Sequence, residues 1–319
     1  MLTREVLPLI TEAASRIYSV ARETPLVPLP RDGRAGGSGI AFAKLEQLQH
    51  TGSFKMRGAT NKLMSLGPKE AAAGVITSST GNHGLGVAAA AKSLGIDAEV
   101  FLSAQVSQAK QEKIRTQGAR VRIVGEDPLA AEIAARESAA ESGRIYVSPY
   151  NDPHVVAGQG TVAVELLRQL PDLDAVFIAT GGGGLISGMG SWLRHHAPRA
   201  QVIGCWPENS AVLYQSIRAG RIFEAPESPT LSESTAGGVE EGSITFDLCR
   251  EAMHHGVLVA EDEILSAMRW GHAQGWAMEG ASGVALAAYF KEAARYADAK
   301  CVVLICGGNP SPAIRALLE

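Results

Sequence analysis

Short hydrophobic runs alternate with helical patterns along the chain from about residue 74 onward. The runs typical of buried strands are residues 75–78, 99–102, 121–124 and 144–147. The helical patterns between them are residues 82–94, 108–117 and 128–142. Strands that alternate with helices through short connections predict a parallel sheet with helices on both faces.

The alternation then restarts with new partners after about residue 150. The expected strands are 175–179, 202–205 and 301–305, and the expected helices are 161–169, a segment starting near Leu185, 210–218, 246–254, 262–277 and 283–296. We therefore predict an α/β fold with two domains, in which residues 73–149 are inserted into a larger domain made of 1–72 and 150–319. Ligands of such sheets bind at the carboxyl ends of the strands, so the turns there should converge on one cleft.

Composition excludes several classes of protein. The 319 residues are 46% hydrophobic and carry a net charge of −4, which argues against disorder and against a nucleic-acid-binding surface. Residues 175–192 are uncharged, but their six glycines favour a buried strand, loop and helix over a membrane span. The four cysteines lack C-x-x-C spacing and the N-terminus lacks an apolar leader, so we expect a cytoplasmic protein with reduced thiols.

Residues 181–184 are four consecutive glycines between an expected strand and an expected helix. Glycine lets backbone amides approach an anion closely, and a helix N-terminus carries about half a positive charge. No lysine follows the run at the spacing of a P-loop. A second glycine pattern, Gly84-x-Gly86, is not followed by an acid at the end of the next strand, which argues against an NAD-binding site. The glycine run therefore predicts a phosphate cradle rather than a simple flexible turn.

Lys55 follows an aromatic residue, Phe54, at an expected helix start with Ser53 as N-cap. The helix dipole and burial both disfavour a charged amine there, and a lysine needs a lowered pKa to react with an aldehyde. Taken alone, a surface lysine remains the alternative. Together with a separate phosphate cradle, Lys55 indicates pyridoxal 5′-phosphate as cofactor.

Two further turns complete this constellation. Asn82 can hydrogen-bond a cofactor hydroxyl, and Cys306, after the last strand, can meet the pyridine nitrogen. A turn at a helix N-terminus can hold a substrate carboxylate through backbone amides and side chains. The residues of that turn are Ser79, Thr80, Gly81, Asn82 and His83.

These motifs, in this order, resemble the fold type II pyridoxal-phosphate enzymes, whose architecture is like that of the tryptophan synthase β subunit. The resemblance is greatest to the serine/threonine dehydratase (ammonia-lyase) and serine racemase group, and it covers nearly the whole chain. The segments that carry it are TGSFKMRGA (51–59), SSTGNHG (78–84), AGQGT (157–161), GGGGL (181–185), MEGASG (278–283) and CGGN (306–309).

The resemblance implies that Lys55 binds the cofactor covalently, with Phe54 beside the ring, Asn82 at its 3′-oxygen and Cys306 at its nitrogen. It implies that the phosphate is held by Gly181, Gly182, Gly183, Gly184 and Leu185. A thiol does not keep the pyridine nitrogen protonated, so the ring is a weaker electron sink, which favours elimination over a long-lived carbanion.

Some positions depart from the family pattern. Racemizing members carry serine where Thr80 stands, and cation-activated members carry acids where Trp206 and Val212 stand. We therefore favour elimination over racemization and expect no metal site. The short segment after Cys306 leaves no room for a C-terminal regulatory domain, so feedback by isoleucine is not expected.

The function implied by the resemblance is that of a lyase acting on a β-hydroxy amino acid, L-threonine or L-serine. It removes the α-proton and the β-hydroxyl and releases a 2-oxo acid and ammonia. The alternatives are a serine racemase, a β-replacement enzyme, a dedicated catabolic dehydratase for hydroxyectoine-derived or β-aryl-serine substrates, and a non-catalytic ligand-binding protein. The family likeness also implies a homodimer, and we expect neither a nucleic-acid nor a membrane partner.

Overall fold

The structure is a computed structural model that describes residues 1–30, 40–79, 81–126 and 128–318. The strands are β1 (Leu26–Pro28), β2 (Ile40–Leu45), β3 (Val75–Ser78), β4 (Ala98–Leu102), β5 (Arg120–Ile123), β6 (Ile145–Tyr146), β7 (Ala175–Ala179), β8 (Gln201–Pro207), β9 (His255–Val259) and β10 (Lys300–Ile305). The α-helices are α1 (Thr3–Arg16), α2 (Lys55–Met64), α3 (Pro68–Ala73), α4 (Asn82–Leu94), α5 (Gln108–Thr116), α6 (Pro128–Ser142), α7 (Pro153–Gln169), α8 (Gly184–His196), α9 (Val212–Ala219), α10 (Ile244–Ala252), α11 (Glu261–Ala273), α12 (Gly280–Glu292) and α13 (Pro312–Ala316).

The strands of the described residues form two sheets. The larger has the order β1-β2-β10-β7-β8-β9, and the smaller has the order β5-β4-β3-β6. Neighbouring strands are parallel except for β1 and β2, so the predicted α/β fold with parallel sheets is confirmed. Strands β2 and β9 were not predicted, nor was the antiparallel β1. Its connection to β2 is shorter than the dozen or so residues that a parallel crossover needs.

Helices pack against both sheets. The central strands β7, β8 and β10 are buried along nearly their whole length, which explains why they appear in the sequence as continuous apolar runs. All four strands of the smaller sheet lie between residues 75 and 146, within the predicted inserted domain. The domain boundaries at 72/73 and 149/150 stay a prediction.

Helix α7 begins at Pro153, eight residues before the predicted start at 161. Asp152 caps it, because its carboxylate accepts the backbone amides of His154 and Val155 at 2.8 and 3.0 Å. Gly158 lies inside the helix, where a Cβ would come within 2.6 Å of the Cα of Gly58 in α2. The glycines of this segment therefore permit close helix packing rather than interrupting the helix.

The predicted helix at 246–254 is also corrected. Helix α10 ends at Ala252, and the chain then enters strand β9 at His255. His254 joins the edge of β8 instead of a helix end, because its amide donates to the carbonyl of Val202 at 2.9 Å and its Nδ1 accepts the Val202 amide at 3.0 Å. This pairing is tertiary and has no local sequence pattern.

Residues 175–192 form β7, the glycine run and the first part of α8, as expected of a buried segment. Among the described helices, none combines the length and the apolar character needed to cross a membrane.

A cluster of buried charged side chains fixes the position of helix α2. Arg57 pairs with Glu46 at 2.8 Å and with Glu165 of α7 at 2.9 Å, and Lys44 of β2 pairs with Glu165 at 2.6 Å. All four side chains are fully buried. Because Arg57 lies two residues after Lys55, this cluster sets the position of the helix on which Lys55 stands.

Candidate active site

The turns after β3, β7 and β10 and the start of α2 surround a cavity of about 280 Å³. Its wall includes Lys55, Asn82, Cys306 and the glycine run at 181–184. These turns meet because the carboxyl ends of parallel strands lie at the same edge of a sheet. The structure thus brings together residues from distant parts of the chain, such as Lys55 and Cys306.

Lys55 is the first residue of α2, and its amine donates to the carbonyl of Pro149 at 2.8 Å. Burial lowers the pKa of Lys55 to about 8, although Cys306 and Glu279 act in the opposite direction. The amine lies 5.2 Å from the centroid of the Phe54 ring. Lys55 is therefore an amine that is partly neutral near neutral pH and is held at one end of the cavity.

Ser53 is not the N-cap of this helix. The N-cap is Phe54, and the Ser53 hydroxyl is buried without a hydrogen-bond partner among the described residues. Ser53 instead forms a β-bridge with Gly307, and the Phe54 amide donates to the carbonyl of Cys306 at 3.0 Å. The start of α2 is thus attached by its backbone to the end of β10, which places Lys55 next to Cys306.

The glycine run connects β7 to α8, with Gly183 as a left-handed N-cap at φ +86°. A Cβ at Gly182 would come within 2.5 Å of the Tyr150 ring, and a Cβ at Gly181 within 2.9 Å of the Thr235 backbone. Only glycine allows these close approaches. The first amides of a helix have no partners within it, and those of α8 lie where the run lines the cavity.

Cys306 lies directly after β10, with its thiol 3.7 Å from the hydroxyl of Ser282. Burial raises the pKa of the Cys306 thiol well above its usual value, so the thiol is neutral. Ser282 is itself held by Gly307, donating to its carbonyl at 2.7 Å and accepting its amide at 3.1 Å. This end of the cavity therefore offers uncharged sulfur and hydroxyl groups.

Asn82 is the first residue of α4, and its amide nitrogen donates to both oxygens of Glu279 at 2.9 and 2.7 Å. Its amide oxygen accepts a hydrogen bond from Asn309 at 2.7 Å. Glu279 also accepts the hydroxyl of Ser234 at 2.8 Å. The orientation of the Asn82 side chain is thus determined by partners from two distant parts of the chain.

The described residues of the expected carboxylate turn lie at the cavity. Ser79, Gly81, Asn82 and His83 line the cavity, and Thr80 lies outside the described residues. Space is open above Gly81, where an added Cβ would meet no atom within 4 Å. The ring of His83 is hydrogen-bonded to the carbonyl of Val147 at 3.0 Å. Burial and the positive charge of the nearby Lys55 lower the pKa of His83 to about 3. His83 is therefore neutral.

Three further parts of the wall were not identified from the sequence. They are Pro149, whose carbonyl holds Lys55, Tyr150, whose ring lies against the glycine run, and the irregular segment 233–238. Glu279, which belongs to the segment MEGASG, also lines the cavity. No local motif marks these residues, because each reaches the site through a tertiary contact.

The donor set fits a phosphate ester that carries an aldehyde and an aromatic nitrogen, as pyridoxal phosphate does. Lys55 offers an amine of lowered pKa, the glycine run offers the positive end of α8, and Cys306 offers a neutral thiol. Among the described residues, no group of three or more His, Cys, Asp or Glu side chains is arranged to hold a metal ion.

Comparisons with known proteins agree with this chemistry. The family model described as "Pyridoxal-phosphate dependent enzyme" matches residues 17–307. The L-threonine ammonia-lyase of Thermotoga maritima is 36% identical over 301 residues, which are 94% of this chain and 74% of that protein.

Solved structures are also similar over almost the full length of the chain. The processed form of threonine deaminase isoform 2 from Solanum lycopersicum has a TM-score of 0.93 at 31% identity, with 99% of this chain and 93% of that chain covered. Maize serine racemase has a TM-score of 0.89 at 28% identity, with 96% and 95% covered.

Proposed function

The chain belongs to the family of pyridoxal-phosphate dependent enzymes, and we propose that it is a lyase that converts L-threonine or L-serine to a 2-oxo acid and ammonia. The observation that carries this proposal is the Lys55 amine of lowered pKa, which shares one cavity with the N-terminus of α8. The 36% identity to an L-threonine ammonia-lyase supports the reaction type and the substrate class.

We assign the cofactor to residues of the cavity by their chemistry. When bound, pyridoxal phosphate supplies an aldehyde that reacts with amines and a ring that withdraws electrons from the α-carbon of the substrate. Lys55 would bind its aldehyde carbon, and the glycine run with Leu185 would hold its phosphate. Asn82 would bind its 3′-oxygen, Cys306 would lie at its nitrogen, and Phe54 would pack beside the ring.

Lys55 would also act as the base that takes the α-proton of the substrate. Its lowered pKa leaves a useful fraction of neutral amine near pH 8, and the Pro149 carbonyl keeps the nitrogen in place. A residue whose pKa lies near the working pH transfers protons efficiently in both directions.

The other residues orient the reactants. Ser79 and Gly81, at the N-terminus of α4, bind the substrate carboxylate, and Thr80, Asn82 and His83 complete that turn. The neutral thiol of Cys306 provides no negative charge to hold a proton on the ring nitrogen, which suits loss of the β-hydroxyl. Overall, the substrate loses its α-hydrogen and β-hydroxyl as water, and one water later releases ammonia from the unsaturated product.

Racemization of serine is the second candidate function, because maize serine racemase has nearly the same fold over 96% of this chain. A racemase needs a second proton donor on the opposite face of the substrate. Simultaneous assay of D-serine and pyruvate from L-serine distinguishes the two reactions.

The proposed function is tested with the purified holoenzyme on a panel of L- and D-β-hydroxy amino acids, including β-aryl serines, with 2-oxo acid and ammonia as readouts. We expect equal amounts of both products from L-threonine or L-serine, and loss of at least about a thousandfold in rate for Lys55→Ala. Full activity of Lys55→Ala, or absence of a 2-oxo acid with every substrate, contradicts the proposal.

We also propose that the protein is a cytoplasmic homodimer. The resemblance to the family supports this assembly, and the four buried cysteines are consistent with a reducing compartment. Light scattering of the purified protein measures the assembly directly.

A further inference from the structure

A long irregular segment lies over the cavity. Residues 221–243 connect α9 to α10 without helix or strand, and residues 233–238 of this segment line the cavity. Irregular segments longer than about 12–15 residues are uncommon in compact domains and often serve as lids or binding loops. Residues 231–243 are called the strap below.

The strap touches the residues assigned to the cofactor. The backbone of Thr235 lies 2.9 Å from the position of a Cβ on Gly181, so the strap rests directly on the glycine run. The hydroxyl of Ser234 donates to Glu279 at 2.8 Å, and Glu279 in turn orients Asn82. The strap therefore contacts the glycine run directly and Asn82 through Glu279.

Two glycines precede Glu240 in the strap. Gly237 has φ +116°, a conformation that favours glycine, and a Cβ on Gly237 or Gly238 would meet no atom within 4 Å. This stretch has few packing contacts, so it can change direction at little cost. The Gly237 amide donates to Glu227 at 2.9 Å, and the residues that follow provide a further attachment of the strap.

Glu240 attaches the strap to the side chains of three other residues. Its carboxylate accepts a hydrogen bond from the Arg136 guanidinium of α6 at 2.7 Å and another from the Asn151 side-chain amide at 2.9 Å. Its own backbone amide donates to the hydroxyl of Tyr150 at 3.0 Å. Tyr150 and its neighbour Pro149 contact the glycine run and Lys55, so Glu240 connects the strap, α6 and the wall of the site.

The guanidinium of Arg136 is oriented toward Glu240 by other contacts. Its guanidinium is bonded to Glu132 of the same helix at 2.8 and 3.0 Å and lies 4.3 Å from the centroid of the Tyr146 ring. A guanidinium that is already oriented loses less entropy when it binds a carboxylate. The Arg136–Glu240 pair is only partly exposed, at 40% and 28%.

We propose that Glu240 and Arg136 form a clasp that fastens the strap over the active site, which makes both of them positioning residues for substrate binding. The catalytic consequence rests on the proposed function, whereas the structural consequence does not. Loss of the clasp leaves Lys55 and its Pro149 contact in place but loosens the strap over the cavity, so the substrate is held less firmly. The expected signature is a raised KM with a nearly unchanged kcat.

The first test compares Glu240→Ala, Arg136→Met and Arg136→Lys with the control Glu132→Gln in the holoenzyme. Glu132 contacts the same guanidinium, but within α6 and away from the strap. We expect about a tenfold rise in KM for Glu240→Ala and Arg136→Met, equivalent to about 1.4 kcal/mol, with kcat changed less than about twofold. Glu132→Gln should stay within about twofold of the unaltered protein, and Arg136→Lys should recover most of the loss.

The second test measures amide hydrogen exchange of residues 231–243 and needs no turnover. Arg136→Met should increase exchange in the strap by about tenfold, while exchange in β7, β8 and β10 stays unchanged. High salt should increase strap exchange in the unaltered protein and not in Arg136→Met, because salt screens a partly exposed ion pair.

The two tests separate the clasp from the proposed function. Faster strap exchange in a protein that shows no lyase activity supports the clasp and contradicts the function. Equal strap exchange in Arg136→Met and Glu132→Gln, or a fall in kcat with unchanged KM, overturns the clasp whatever the substrate.

Discussion

At the scale of single residues, the chemistry of the site depends on removing Lys55 from water. Burial favours the neutral amine, and the position at the start of α2 disfavours positive charge further. The same burial keeps the thiol of Cys306 and the ring of His83 uncharged. The cavity wall therefore places these neutral groups around one amine, together with the acidic residues Glu233 and Glu279.

The lowered pKa of Lys55 predicts its reactivity in the cofactor-free protein. Since only the neutral amine reacts, the labelling of Lys55 should rise with a midpoint near pH 8. The labelling of an ordinary lysine has its midpoint at about pH 10.4. Reductive methylation at a series of pH values, followed by peptide mass spectrometry, measures this midpoint. The exposed Lys69 in the same digest reports the reagent's own behaviour, and a midpoint for Lys55 near that of an ordinary lysine contradicts the prediction.

At the scale of secondary-structure elements, the glycine run works because two other segments lie directly on it. Tyr150 and Thr235 leave no room for side chains at Gly182 and Gly181. These close contacts hold the connection between β7 and α8 in one conformation, so the first amides of the helix are oriented before an anion binds. An anion site that is arranged in advance avoids the entropic cost of ordering a loop.

Gly182→Ala tests this packing. The added Cβ would come within 2.5 Å of the Tyr150 ring, so the ring or the run must shift, and we expect cofactor affinity to fall by about tenfold. Titration of the cofactor-free protein with pyridoxal phosphate, followed by absorbance, measures the change. The control is Gly67→Ala, where the new Cβ meets only a side-chain oxygen at 3.5 Å. The same substitution in a Tyr150→Ala background should cost less, and an equal loss there argues against the steric explanation.

At the scale of the whole molecule, the buried charges below α2 connect parts of the chain that are far apart. Glu165 of α7 contacts Arg57 of α2 and Lys44 of β2, and all three side chains are fully buried. Burial alone would raise the pKa of Glu165, but Arg57 and Lys44 lower it below its usual range. The cluster therefore attaches the helix of Lys55 to both the larger sheet and α7.

Glu165→Ala should lower the free energy of unfolding by about 3–5 kcal/mol, because it leaves two buried cations without their shared partner. The matched control is Glu23→Ala, which breaks the exposed Glu23–Arg168 pair and should cost less than about 1 kcal/mol. Urea unfolding followed by circular dichroism measures both variants. A loss at Glu165 no larger than that at Glu23 would show that the cluster does not stabilise the fold.

Local patterns were sufficient for the fold class. The buried strands, the alanine-rich α4 and the run at 181–184 each have a periodicity or composition that depends on neighbouring residues alone. The family resemblance added the roles of Lys55, Asn82 and Cys306, which remain proposals here. Errors arose where a distant contact decides the local structure, as with Ser53, which pairs with Gly307 instead of capping α2.

The sequence by itself therefore indicated the strands β3 to β8 and β10 and the turns that carry an amine, a thiol and a run of glycines, because these properties reside in short stretches of chain. Only the tertiary structure decided that Tyr150 lies on the glycine run, that Glu279 orients Asn82 and that Glu240 reaches Arg136. Each of these contacts joins residues from different elements. Their energies depend on burial and distance, which exist only after the chain has folded.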